Sequence, residues 1–220
     1  KNRPNGNRVE YDIWYDMRYK TRIHSYLYTD AMAKFMYIRT AGAYWTHKLM
    51  EEAAKHPITE EGERIFQDLG DTSVDKYRLR RVKEKHNFVI FLPGTNILQD
   101  VLDWKKTKNA VKQGAKLKCH PITSPTAVAH LKHEFGEDNI LDKKLSGHQL
   151  MKEASIVGCC ENSEMGLVAL AQGKKVYLFG KGQRNITYSA LYNTIWTDGK
   201  ADVNKFKSIL SCKYSGMVPI

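Results

Sequence analysis

Cysteine is scarce in this chain of 220 residues: the four are Cys119, Cys159, Cys160 and Cys212. They do not form the spaced, even set that marks a disulfide framework. Cys159 and Cys160 are neighbours in an apolar run, where free thiols act as small hydrophobes, and a reducing cytoplasm is the expected compartment. No run approaches the roughly 18 apolar residues of a membrane span, and no signal peptide opens the chain. The first residue is Lys1 rather than Met, so further residues are expected upstream. No Gly-x-Gly-x-x-Gly follows the first apolar strand and no Walker loop occurs, which argues against a nicotinamide enzyme and a P-loop NTPase. What the chain does have is 42% apolar residues and four tryptophans, the composition of an ordered globular protein with room for one generous domain or two small ones.

The formal charge is +11, from 35 basic and 24 acidic residues. Residues 1–86 carry 17 basic and 13 acidic side chains, and residues 87–220 carry 18 and 11, so the excess is spread along the chain. Such a balance fits anionic partners, whether nucleotides, nucleic acid or acidic glycans, and equally fits a plain basic surface.

The opening "KNRPNGNRVEYDIWYDMRYKTRIHS" interleaves basic and aromatic residues around a Pro-Asn-Gly turn signal. That composition serves either base stacking or packing of the tyrosines on a neighbouring domain. From Thr29 to about Lys55, apolar positions at Ala31, Phe35, Ile38, Tyr44, Trp45 and Leu49 predict a helix stopped by Pro57. Thr59 caps a second helix with Glu60 and Glu61 in its first turn, ending at Gly70. A third is predicted over Val74–Lys85. Residues 1–86 therefore read as a mainly helical N-terminal segment, with a strand near Ile13 as the one extended candidate.

After His86 the period changes. "NFVIFLP" has strand length and ends in Pro93-Gly94, and "NILQDVLDWKKTKNAVKQG" reads as one amphipathic helix closed by Gly114. "AKLKCHP" is a second strand and Thr126–Phe135 a helix. "NILDKKL" is a third strand, and "SGHQLMKEAS" a short helix with Ser146 and Gln149 at capping-box spacing. "SIVGCCE", "SEMGLVALAQG" and "KKVYLFG" then give strand, helix, strand. Strands alternating with helices of this length predict an α/β fold, a Rossmann-like parallel sheet domain over 87–220 covered on both faces.

Ligands of open α/β sheets sit beyond the carboxyl ends of the strands. Four such ends carry polar or glycine signals: Pro93-Gly94-Thr95-Asn96, Cys119-His120-Pro121, Glu161-Asn162-Ser163 and Gly180-Lys181-Gly182. Pro121 forces His120 toward an extended backbone and ends its strand there. Its imidazole can donate to a phosphate or a leaving group, or simply fill a loop. Asn162 and Ser163 offer side-chain oxygens and helix N-terminal amides, which serve as a cap, an anion site or both. Gly166, in the first turn, lets a ligand or another backbone approach closely. His130 and His133 share a helix face at metal-ligand spacing, but they read as surface residues and no metal site is expected.

The ordered set "KCHP" and "SGHQLMKEASIVGCCENSEMGLVALAQGKKVYLFG" resembles the C-terminal, donor-binding half of GT-B glycosyltransferases, most closely the capsule-type Kdo transferases and more distantly bacterial sialyltransferases. The resemblance covers roughly residues 75–190 and is strongest over 117–180. In those families a His-Pro after a strand and serines at a later helix start hold the phosphate and cytidine of a CMP-sugar. Ser163, Gly166, Ala169, Leu170, Gly173 and Lys174 match the later segment, and "DKYRLRR" and "FVIFLPGTNILQD" are similar to a Lys-Tyr segment and a glycine-acid loop upstream. The resemblance implies half of a GT-B fold with a nucleotide sugar, CMP- or UDP-type, as co-substrate and no cofactor or metal. It implies donor binding by Gly94, Thr95, His120, Pro121, Asn162, Ser163 and Gly166, with His120 at the leaving phosphate. It places Asp100, and less securely Asp103, near an acidic family position as the candidate base. The acceptor is a hydroxyl, on an anionic glycan or on modified DNA. Asn162 stands where many relatives have a second Ser or Thr, and "GKGQRNITYSALYNTIW" replaces the family's aromatic stretch after the last strand. A full GT-B enzyme has two Rossmann domains and one is legible here, so residues 1–86 read as a remnant or reduced acceptor domain, or as a link to an upstream domain or partner chain. The other reading is a glycosyltransferase-like module without turnover that binds nucleotide, nucleic acid or a partner.

Overall fold

Phe88–Phe91 and Ile156–Cys159 are too apolar to face water on either side, and in the computed structural model they lie side by side at the centre of a parallel sheet. The structure describes residues 8–16, 21–30, 35–40, 43–71, 79–94, 98–182, 188–213, 215 and 217–219. It divides the chain into two units, residues 1–74 with 190–220, and residues 75–189.

The first unit opens with strands β1 (Arg8–Asp16), β2 (Thr21–Asp30) and β3 (Phe35–Thr40), followed by helices α1 (Ala43–Ala53) and α2 (Glu60–Gly70). The expected helix from Thr29 is thus a helix only from Ala43. Its first half is strand, paired antiparallel so that Leu27 faces Ile38 and Tyr28 faces Tyr37. The strand expected near Ile13 is part of β1. Thr59 caps α2 as the sequence predicts, accepting the N–H of Gly62 at 3.1 Å. Of the helix expected over Val74–Lys85, residues 74–78 lie outside the described residues, and 79–85 are not helical. Arg80 instead forms an isolated bridge with Leu145.

The second unit holds β4 (Phe88–Phe91), α3 (Leu98–Val101), α4 (Trp104–Lys112), β5 (Lys116–Lys118), α5 (Pro125–Phe135), β6 (Ile140–Leu141), α6 (Gly147–Glu153), β7 (Ile156–Cys159), α7 (Glu164–Ala171) and β8 (Lys175–Leu178). The five strands are parallel in the order β6-β5-β4-β7-β8. This is the expected α/β, Rossmann-like sheet. Successive residues of a strand face opposite sides, and β4 shows both sides filled. Ile90 and Leu92 join a core with Leu98, Leu102, Leu117 and Leu131, while Phe91 meets Gly147 of α6, with Met165 of α7 beside it. The single helix expected after β4 is two, because Asp103 caps α4 by accepting the N–H of Lys106 at 2.9 Å.

The chain then returns to the first unit through α8 (Ser189–Ile195), the hairpin of β9 (Trp196–Thr197) and β10 (Lys200–Ala201), α9 (Val203–Ser211) and β11 (Met217–Pro219). β11 pairs antiparallel with β3, giving a sheet of order β1-β2-β3-β11. Phe66 of α2 meets Phe206 of α9 edge to face at 5.6 Å. The boundary expected at residues 86 and 87 falls inside the second unit, and residues 190–220 cluster with the N-terminal ones rather than with the parallel sheet.

Candidate functional site

Strand order fixes where a ligand can enter. From β4 the chain moves outward through β5 to β6, then crosses back to place β7 on the other side of β4. The crevice of such a sheet opens between β4 and β7, beyond their carboxyl ends. Phe91, Lys118 and Cys159 are level across β5, β4 and β7. Two residues further along each strand come Pro93, His120 and Glu161. Neighbouring strands lie about 4.8 Å apart, so the tips of β5 and β7 flank that of β4 at about 10 Å from each other. The structure therefore brings His120, Pro121, Gly94, Asn162 and Ser163 to one rim, as the sequence predicts. Thr95 and Asn96 lie outside the described residues.

His120 is half-buried, and its loop is tied down from two sides. Lys118, 3% exposed, donates from Nζ to the carbonyls of Cys119 at 2.7 Å and Lys143 at 3.0 Å. Lys143 reaches back to the carbonyl of Thr123 at 2.7 Å. The Thr123 N–H closes the turn on the His120 carbonyl at 2.9 Å. The Ile122 N–H points at His120 Nδ1 at 3.3 Å, so Nδ1 is the accepting nitrogen in this arrangement. Cys119, between these groups, has its thiol pushed up to about 11 by burial.

At the tip of β7, Ser163 caps α7 by accepting the N–H of Met165 at 3.2 Å. The remaining first-turn amides face the same direction as the helix dipole's positive end. Gly166 is buried in that turn. Asn162 Oδ1 is buried, and among the described residues it has no hydrogen-bond partner.

The two candidate acids differ. Asp100 is exposed on α3, whereas the Asp103 carboxylate is engaged as the α4 cap. Asp103 is therefore a structural acid, and Asp100 is the one of the pair on an exposed surface. His130 and His133 are exposed on α5. His130 lies 5.7 Å from the Trp104 ring, and His133 Nδ1 is 3.5 Å from Glu134. Among the described residues no group of three or more His, Cys, Asp or Glu could hold a metal ion, and no helix is long and apolar enough to cross a membrane.

One residue of this rim was not singled out from the sequence. Glu161 is 3% exposed, and burial raises its carboxyl above the ordinary value despite hydrogen bonds from its own N–H and that of Gly182 and the nearby Lys106 charge. In the sequence it stands only as part of the polar step Glu161-Asn162-Ser163 at a strand end, which gives little sign that the acid turns inward.

No family model matches the sequence, and no curated protein does. Among solved structures the chain is similar to Thermosulfurimonas dismutans KpsC, a beta Kdo 2,4 transferase, with 9% identity and a TM-score of 0.35. The match covers 84% of this chain and 64% of that one, so this chain spans less than two thirds of its length.

Proposed function

We propose that the parallel-sheet unit binds a nucleotide sugar of CMP- or UDP-type and that the protein transfers the sugar to a hydroxyl acceptor, an anionic glycan or modified DNA. The observation that carries this reading is the placement of His120 at the tip of β5 and of Asn162 and Ser163 at the tip of β7, on either side of the tip of β4. Nε2–H of His120 and the amides at the start of α7 supply hydrogen bonds and positive potential at the strand tips. Asn162 Oδ1, an acceptor without a donor among the described residues, suits an amine or hydroxyl of the nucleoside.

In the transfer, the acceptor oxygen attacks the anomeric carbon, and the bond from that carbon to the phosphate oxygen breaks. The bonding pair leaves on the phosphate, where His120 and the helix amides stabilise it as charge develops. The acceptor's proton passes to a carboxylate, for which Asp100 is the candidate on this unit. Calorimetric titration with CMP and UMP tests the reading. Both, or one, should bind, and His120→Ala should weaken binding by roughly 1–3 kcal/mol. An unchanged dissociation constant in that variant returns His120 to the role of a loop residue. Binding without any sugar transfer from a panel of nucleotide sugars supports the module without turnover.

A further inference from the structure

Glu161 lies at a junction of three segments: the tip of β7, the turn Gly180-Lys181-Gly182 after β8, and the α3–α4 link that follows β4. The last two are stitched together by backbone contacts. Gly180 bridges Leu102, the Lys181 N–H donates to Val101 at 2.9 Å, and the Asp103 N–H donates to Phe179 at 2.8 Å. Lys181 adds its Nζ to the Gln99 carbonyl at 2.8 Å. The carboxylate of Glu161 completes the junction, with the Gly182 N–H favouring its anion. It also fills the space where residue 180 would carry a side chain, since a Cβ there would fall on Oε2. Gly182 turns at φ +71°, in the left-handed region.

We propose that Glu161 is a positioning residue, a buried strut that holds the Gly180–Gly182 turn and, through it, the segment carrying Asp100 against the rim of the candidate site. The role in ligand binding rests on the nucleotide-sugar reading above; the strut itself does not. A carboxylate takes a stronger hydrogen bond from an amide than a carboxylic acid does, so the strut tightens when Glu161 ionises. The titratable and charged groups around it are Lys106 on α4, whose charge favours the anion, and the buried Cys160 thiol beside it on the chain. Lys181 stands in the turn itself, and Asp100 and Asp103 stand on the facing segment. Among the described residues Oε2 has no hydrogen-bond partner, and the Gly182 N–H and the residue's own N–H favour the anion.

The test is amide hydrogen exchange on the whole chain, read at Gly182 as a protection factor from about pH 4.5 to about pH 8, beside calorimetry with CMP and UMP. In the parent, Gly182 protection should rise with pH by about fivefold as the carboxylate ionises. In Glu161→Gln, which keeps the shape and removes the titration, protection should be lower at neutral pH and flat across the range. Gly180→Ala, which drives a methyl into the carboxylate's place, should lower it as well. Nucleotide affinity should fall by about threefold or more in both variants at neutral pH. Identical Gly182 protection in parent and Glu161→Gln at every pH overturns the strut. Altered protection with unaltered nucleotide affinity overturns its service to the site. Failure of the parent to bind either nucleotide overturns the functional reading, while the exchange data still decide the strut.

Discussion

Replacing Ser163 by alanine and by glycine separates a helix cap from a ligand group. As a cap alone, Ser163→Ala should cost roughly 0.5–2 kcal/mol of stability and Ser163→Gly only a few tenths. If the hydroxyl also holds a donor phosphate, the glycine variant should melt almost like the parent and still bind CMP or UMP more weakly. Thermal melts and calorimetry on the same samples decide between the two, and equal affinity in the glycine variant makes Ser163 purely structural. Glu161 makes a prediction of a different kind. Its carboxyl is raised above the ordinary 4.5, chiefly by desolvation, so the folded chain keeps its proton to higher pH than the unfolded chain does. The associated stability is fully present below about pH 4.5 and is lost as pH climbs through the raised folded value. Glu161→Gln should therefore flatten the fall in stability above pH 4.5 seen in the parent by denaturant titration, and a parent and variant with parallel pH profiles would refute the raised value. Local order and global stability move in opposite directions here. With Glu161 as a strut, ionisation draws the Gly182 N–H to the carboxylate while the buried charge weighs on the fold.

At the scale of elements, Asp103 and Gly62 offer clear expectations. Asp103→Ala removes the acceptor for the Lys106 N–H and should cost roughly 0.5–2 kcal/mol in stability without a direct loss of nucleotide affinity, measured by urea unfolding and calorimetry. A Cβ at Gly62 would fall on Ser211 Oγ, whose hydroxyl also accepts the Thr59 N–H at 3.0 Å and donates to the Lys207 carbonyl at 2.8 Å. Gly62→Ala should then destabilise by roughly 1–3 kcal/mol by prising α2 from α9. The elements that were legible in the sequence are those whose signals are local. Runs buried on both faces, such as Phe88–Phe91, and hydroxyl caps at Thr59, Ser146 and Ser163 all stand where the sequence puts them. Of the antiparallel strands, only the one around Ile13 was legible. In "FMYIRT" bulky residues occupy adjacent positions, so alternation is hidden, and Ala31, Phe35 and Ile38 match a helical spacing as well as an extended one. Only pairing with distant partners decides, as between Leu27 and Val9 on one side and Ile38 on the other. The split between α3 and α4 has a similar cause, since the Asp103 N–H is drawn to Phe179 across the sheet. His120 and Ser163 were legible because a proline and a cap mark their strand ends. Glu161 was not, because its meaning depends on Gly180 and Gly182 arriving from another strand.

At the scale of the whole molecule, the charge of +11 calls for a test that separates a built site from a basic surface. Polyanion binding that rests on counterion release should weaken by about tenfold or more between about 50 and about 200 mM salt. CMP, with at most two charges, should lose no more than about threefold over the same range if hydrogen bonds at the strand tips hold it. A CMP affinity that falls as steeply as that of heparin would assign binding to the surface field. The other whole-molecule feature is the discontinuity of the first unit. Residues 1–74 and 190–220 belong together, with residues 75–189 inserted between them, and β11 closes onto β3. During synthesis the ribosome therefore finishes the inserted unit before the first one has all its strands. The parallel-sheet unit can settle while the nascent chain is still tethered, whereas β3 waits with an open edge that invites pairing with another chain. Crowded polysomes, rather than the finished protein, are where this architecture is most exposed to aggregation.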